Sequence, residues 1–426
     1  MITGPGIDDA SISVGLIVDP TADRGFTSGV DLWAEITNKA GGICGRTIQI
    51  VTATTGSTPE AAYLELGRHT VGLITLAPGA AGRQLAARVR SDRIPTLTPE
   101  GTAGDLVGTG SPLVLGATDD LLAINAASHL LSAGVIAAGG TLGVLIDDPA
   151  TDDDVVAGLT WWANRNDVRL QQLQIGGPVP ADLPAVFAAA GPQQVAQLLT
   201  ATGSAGGSES IVSSGISDST PSSASTGTPT GDGSAGPAGS GGSARSGGSA
   251  GSADGATGPT TGAARPPDDG AAAGPVIATT LDGYDPVLVP AGQTGRLLVA
   301  TVTPSPGADH PTVRAVDSAF ADSGHTDPGP RMLEGYATGE GWTRILEPMC
   351  AARTLTRSAA IDQLTRSGPA SSESLFGPTN PAAQMSAGLP ASRVSALSAA
   401  DPTAPGGLRP VTLLESAPGI GNYRSQ

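Results

Sequence analysis

Lysine is almost missing from this sequence. Lys39 is the single lysine among 22 basic residues, set against 39 acidic ones, and the formal net charge is −17. So acidic a chain offers no electrostatic case for nucleic acid, which is gripped by clustered Lys and Arg. Aromatic residues are only 3% and charged residues only 14% of the chain. Long apolar runs are missing too. The longest, residues 121–146, is broken by Asn125, His129 and several glycines, so it does not read as a membrane span. Residues 1–10 have neither the basic start nor the apolar run of an export signal. Cysteine is limited to Cys44 and Cys350, which fit either one disulfide or two unrelated buried thiols.

Small residues are what the chain has in excess, with 61 glycines in 426 residues. Much of that excess falls in residues 201–274. Only 11 of those 74 residues are not Gly, Ala, Ser, Thr or Pro. Such a segment cannot bury enough apolar surface to offset a chain entropy of about 1–2 kcal/mol per residue. It is expected to be a disordered Gly/Ser-rich insert, a lengthened surface loop whose Ser, Thr and Pro also suit O-glycosylation. Residues 247–251 match G-x-S-x-G, but that nucleophile elbow needs a strand before it and a helix after it. Inside this insert the match carries no chemistry.

Outside the insert, strands and helices alternate. Residues 11–19 form a β-branched run that predicts a buried strand. Residues 26–39 have helical spacing, with Val30, Trp33 and Ile36 on one core face. Strands are predicted at 47–54, 71–76 and 94–97. Helices are predicted at 59–69, capped by Ser57 or Thr58, and at 82–90. A second series follows: helix 119–133, strand 141–146, helix 155–164, strand 168–174, strand 183–189 and helix 193–200. Strands 275–281 and 295–303 and helices 312–323 and 330–352 come after the insert. Alternation of this kind builds parallel sheets covered by helices, here in two lobes.

Three stretches give the chain a relative. Residues 14–51, VGLIVDPTADRGFTSGVDLWAEITNKAGGICGRTIQIV, join a strand to a helix ending in I-x-N-x-A-G-G, then G-R and a second strand. Residues 94–120, IPTLTPEGTAGDLVGTGSPLVLGATDD, carry T-P-x-x-T-x-x-x-L and then G-S-P. Residues 334–346, EGYATGEGWTRIL, hold a Tyr-Ala helix start. Together these resemble the branched-chain amino-acid (Leu/Ile/Val) binding proteins of ABC transporters, of the type I periplasmic binding fold. The closing residues 401–411, DPTAPGGLRPV, are similar to the tails of such proteins.

The resemblance implies an α/β fold of two Rossmann-like lobes joined by a hinge. The first lobe would take residues 10–118 and 302–380, the second 119–200, 275–301 and the tail 381–426. Cys44 and Cys350 would then both lie in the first lobe, so a bond between them would leave the hinge free. The implied function is an extracytoplasmic solute-binding protein, a lipoprotein or wall-associated chain. It would act as a monomer that delivers an amino acid or amine to permease and ATPase subunits. No catalysis and no cofactor is implied. A ligand-sensing or structural protein of the same fold, with a diverged pocket, is the second reading.

Relatives hold the solute between the lobes by charge-assisted hydrogen bonds. The matching positions here are Gly79 and Ala80 after the third strand, Glu100 and Thr102 after the fourth, and Tyr336 in the late helix. In the second lobe they are Asp152 and Thr280, with Asp282 two residues on. Gly79 lacks the hydroxyl that the family usually places there, and Thr280 stands near its ammonium-binding glutamate. The site is therefore expected to be less aromatic and more acidic than its relatives, suited to a polar or cationic solute. The cluster Asp147, Asp148, Asp152, Asp153 and Asp154 reads either as a cation contact or as carboxylates at a helix N-terminus. His69, His129, His310 and His325 have no metal-ligand spacing. Of Trp161 and Trp162, one is expected in the core and the other facing the cleft or a partner.

Overall fold

A computed structural model describes residues 1–19, 23–53, 58–77, 79–106, 112–148, 152–203, 274–324, 328–366 and 373–424. The expected insert, its G-x-S-x-G match, Ser57 and His325 lie outside these residues, apart from 201–203 and Gly274 at the insert's ends.

The first half opens with β1 (Ile2–Thr3), β2 (Ser11–Val18), α1 (Phe26–Lys39) and β3 (Thr47–Thr52). It continues through α2 (Pro59–Leu66), β4 (Gly72–Leu76), α3 (Gly79–Asp92), β5 (Thr96–Thr98) and β6 (Leu113–Val114). Strands β2 to β6 form a five-stranded sheet in the order β3-β2-β4-β5-β6, parallel throughout. Strand β4, GLITL, is buried at every position, as a parallel strand covered on both faces must be. Thr58 rather than Ser57 caps α2, its hydroxyl accepting from the Ala61 amide at 3.3 Å.

The second sheet starts after α4 (Asp119–Ser132) and includes β7 (Thr141–Ile146), α5 (Asp153–Asn166), β8 (Arg169–Leu173), β9 (Ala185–Ala189) and α6 (Pro192–Gly203). Helix α6 runs three residues into the segment expected as insert. Next come β10 (Val276–Thr280), β11 (Leu297–Thr301), α7 (Pro311–Asp322), α8 (Met332–Ala351), β12 (Thr354–Leu355), α9 (Arg357–Arg366) and α10 (Pro381–Ala387). The last strands are β13 (Ala396–Ala400) and β14 (Leu408–Pro410). The seven-stranded sheet has the order β14-β13-β11-β10-β9-β7-β8. Its strands from β8 to β11 are parallel, while β13 and β14 add antiparallel at one edge. The tail thus divides. Its end joins the second sheet, whereas the Gln384 side chain of α10 is bonded to Pro112 and Val114 at the edge of the first.

Helix α8 is the spine of the first lobe. It crosses α1 nearly backbone to backbone. A Cβ on Gly29 would lie 2.0 Å from the Met332 carbonyl, and one on Gly335 2.0 Å from the Phe26 carbonyl. Trp33, Trp342, Leu346 and Met349 close the core around this crossing. Cys44, in the turn before β3, is bonded to Cys350 near the end of α8. The rigid α1–α8 pair fixes where α8 begins, and that start faces the second lobe.

Candidate functional site

A cleft with about 80 Å³ of space opens at the carboxyl ends of the first sheet's strands. Ligands of open α/β sheets bind at such strand ends. Glu100 and Thr102, in the loop after β5, line it from the first lobe, with Gly79 and Gly82 of α3 beside them. Asp119, at the start of α4, and Asp282, in the turn after β10, line it from the other side.

The expected site residues are only partly gathered there. Gly79 is the first residue of α3, at φ +69°, and Ala80 follows it in the helix. Thr102 lines the cleft, but its amide and hydroxyl both donate to Asp105 Oδ2, at 2.8 and 3.0 Å. Glu100 lines it with its side chain 10% exposed. Asp152, the residue before α5, is not among the lining residues. Thr280 ends β10, and its neighbour Asp282 reaches the cleft instead. Tyr336 is buried in α8 and also outside the lining, its hydroxyl donating to Glu340 at 3.4 Å.

The centre of the arrangement is a residue that sequence reasoning missed. Arg331, immediately before α8, is wholly buried. Its Nη1 donates to Glu100 and, at 2.9 Å, to Glu334 Oε2. Its Nη2 donates to Asp282 Oδ1 at 2.6 Å. One guanidinium thus binds carboxylates from both lobes, using the fork of donors that suits Arg to such contacts. Two more bonds cross the same boundary. Arg24 donates to the Leu281 carbonyl, and the Ala103 amide donates to Asp154 Oδ2 at 2.9 Å. The acidic cluster before α5 therefore sends one member into the first lobe, and among the described residues no group of side chains suits a metal ion.

Burial and mutual repulsion set the charge states. Burial pushes Glu100 up to about 8, against the pull of Arg331 and with a further push from Asp282 and Glu334. Burial likewise raises Glu334 to about 7 and Asp154 to about 6. Asp119 is held well above the usual carboxylate range by burial and by the nearby Asp154 and Asp282. Burial would lower Arg331, but Glu100, Glu334 and Asp282 outweigh it and keep the guanidinium charged. Burial therefore disfavours the charged form of these carboxyls, and the Arg331 guanidinium opposes it at Glu100 and Glu334.

Away from the cleft, Trp162 is core, while Trp161 packs on Tyr423 at 5.1 Å and under the Arg165 guanidinium at 5.0 Å. It faces the chain's own C-terminal segment. His129 Nδ1 stands 4.0 Å from Glu415, and His69 is exposed. Among the described residues no helix is long and apolar enough to cross a membrane.

No family model matches the chain, and no curated protein matches its sequence. Solved structures do. A fatty acid ABC transporter substrate-binding protein from Thermomonospora curvata is 20% identical with a TM-score of 0.73, over 100% of this chain and 97% of that one. A branched-chain amino acid ABC transporter protein from Thermus thermophilus with bound valine is 11% identical with a TM-score of 0.62, over 98% of each chain. A solute-binding protein from R. palustris in complex with benzoate is 12% identical with a TM-score of 0.58, over 97% of this chain and 99% of that one. Sheet order, lobe connections and these likenesses agree: the chain has the type I periplasmic-binding-protein fold, two α/β lobes joined by a hinge.

Proposed function

We propose that this chain is the extracytoplasmic solute-binding component of an ABC importer, taking an amino acid or a similar small polar solute into the cleft between its lobes. The observation that carries this is the cleft itself, lined by Glu100 and Thr102 from one lobe and by Asp119 and Asp282 from the other. A solute bridging these groups would favour lobe closure, and the closed form is what permease and ATPase subunits would read. Among the similar structures one is named a fatty acid ABC transporter substrate-binding protein, one has bound valine and one is in complex with benzoate. The lobes are taken as residues 10–118 with 302–380 and 119–200 with 275–301. The Cys44–Cys350 bond suits an oxidising compartment.

One observation favours the second reading, a sensing or structural protein with a diverged pocket. Arg331 already engages Glu100 and Asp282, two of the cleft's carboxylates. A thermal-shift screen of the folded chain against amino acids, small amines and small carboxylates separates the two. A saturable rise in melting temperature supports the importer component. No shift with any compound supports the diverged pocket.

A further inference from the structure

Among the described residues that line the cleft, Arg83 is the one base. It is the fifth residue of α3 and is partly buried. Its Nη1 is buried and has no hydrogen-bond partner among the described residues. A guanidinium is always charged and carries five donors. A buried donor left unmatched is costly, so it calls for an acceptor. Helix α3, fourteen residues long, begins at Gly79, which lines the same cleft. The first turn of a helix leaves amides without acceptors inside the helix, and its dipole favours an anion. Arg83 adds a full charge to that end.

The acids of the cleft, by contrast, are matched within the protein. Arg331 binds both Glu100 and Asp282. Asp105 Oδ2 accepts from the Thr102 amide and hydroxyl at 2.8 and 3.0 Å. At Asp119, burial and the nearby Asp154 disfavour the charged form, which weakens both its repulsion of an anion and its hold on a cation. With one base among these acids in about 80 Å³ of space, a small singly charged anion fits better than a dianion such as phosphate.

We propose that Arg83 selects the solute of this cleft by pairing its guanidinium with a carboxylate, so that the site takes small monocarboxylates and rejects amines. This rests on the solute-binding reading and names its substrate class. It is the opposite of the cationic solute that the acidic sequence suggests.

Titration calorimetry on the full chain tests it with butanoate and benzoate, their neutral amides butanamide and benzamide, the amines n-butylamine and benzylamine, and inorganic phosphate. Each carboxylate is expected to bind about tenfold or more tightly than its amide, with the amines and phosphate weaker still. Arg83→Gln is expected to bring the carboxylate-to-amide ratio close to one while amide affinity stays within a few-fold of wild type, which a merely structural role would not do. Arg83→Lys, which keeps the charge, should retain part of the preference. If neither variant folds, the wild-type series decides alone. An amine, amide or phosphate that binds more tightly than the carboxylates, or a ratio unchanged in Arg83→Gln, overturns the role of Arg83 while leaving a solute-binding protein. No binding by any compound to folded chain removes the solute-binding reading, and the role of Arg83 with it.

Discussion

Arg331 Nη2 lies 2.6 Å from Asp282 Oδ1, and this ion pair ties the start of α8 to the turn after β10, one lobe to the other. The two ends differ. The Arg331 side chain is wholly buried, while that of Asp282 is 40% exposed. The pair therefore acts as a tether that water can reach from one side.

Asp282→Asn keeps an acceptor and removes the charge. Because solvent already screens this end, the expected loss of stability is about 1 kcal/mol by chemical denaturation. Arg331→Met instead strands Glu100 and Glu334 beside an apolar side chain, and about 3–5 kcal/mol is expected. Equal losses in the two variants would show that the guanidinium is no hub. Solution scattering should also find the Asp282→Asn lobes further apart on average than in wild type.

The same cluster makes stability depend on pH. Glu100, Glu334 and Asp154 are raised in the folded chain to about 8, 7 and 6, above their unfolded values. The folded state thus holds protons that the unfolded state releases. Their stabilisation is complete below the unfolded values and is lost as pH rises from roughly 4.5 towards 8. The melting temperature should fall across that window, and Glu100→Gln should flatten the slope. A melting temperature that climbs with pH there would contradict the assignment.

The Cys44–Cys350 bond closes a loop of 306 positions. Replacing both cysteines by serine is expected to lower stability by about 2–5 kcal/mol, read as a shift in denaturant midpoint. Both cysteines sit in the first lobe, so solute affinity measured on the folded variant should stay within a few-fold of wild type.

Close helix packing gives a sharper stability contrast. Gly335→Ala would place a methyl 2.0 Å from the Phe26 carbonyl, whereas a Cβ on Gly421 would meet nothing within 4 Å. Overpacking at the α1–α8 crossing should cost about 1–3 kcal/mol, against a change near zero for Gly421→Ala. Denaturation midpoints compare them directly.

Local patterns in the sequence reached the fold and stopped short of the site's centre. The run SISVGLIV and the spacing of Val30, Trp33 and Ile36 identify β2 and α1 because each pattern is complete within its own segment. Helix α3 begins at Gly79, three residues before its predicted start, because a Gly-Ala-Ala-Gly run reads as loop until packing holds it. Strand β6 has two residues, too few for any periodicity. Glu100 and Thr102 were legible through the resemblance. Arg331 was not, since Glu100 and Asp282 lie 231 and 49 positions away, and Glu334, three positions on, reads only as an acid in a helix's first turn. In the sequence Asp119 marks only the start of a helix, and the fold places it in the cleft wall opposite the loop after β5.

Hydrogen exchange on the chain, free and saturated with the tightest binder from the solute screen, tests most directly whether a solute sits between the lobes. The expected result is slowed exchange in residues 79–86 and 96–102 of the first lobe together with 281–283 of the second. Slowed exchange in one lobe alone, or none at saturation, would contradict it.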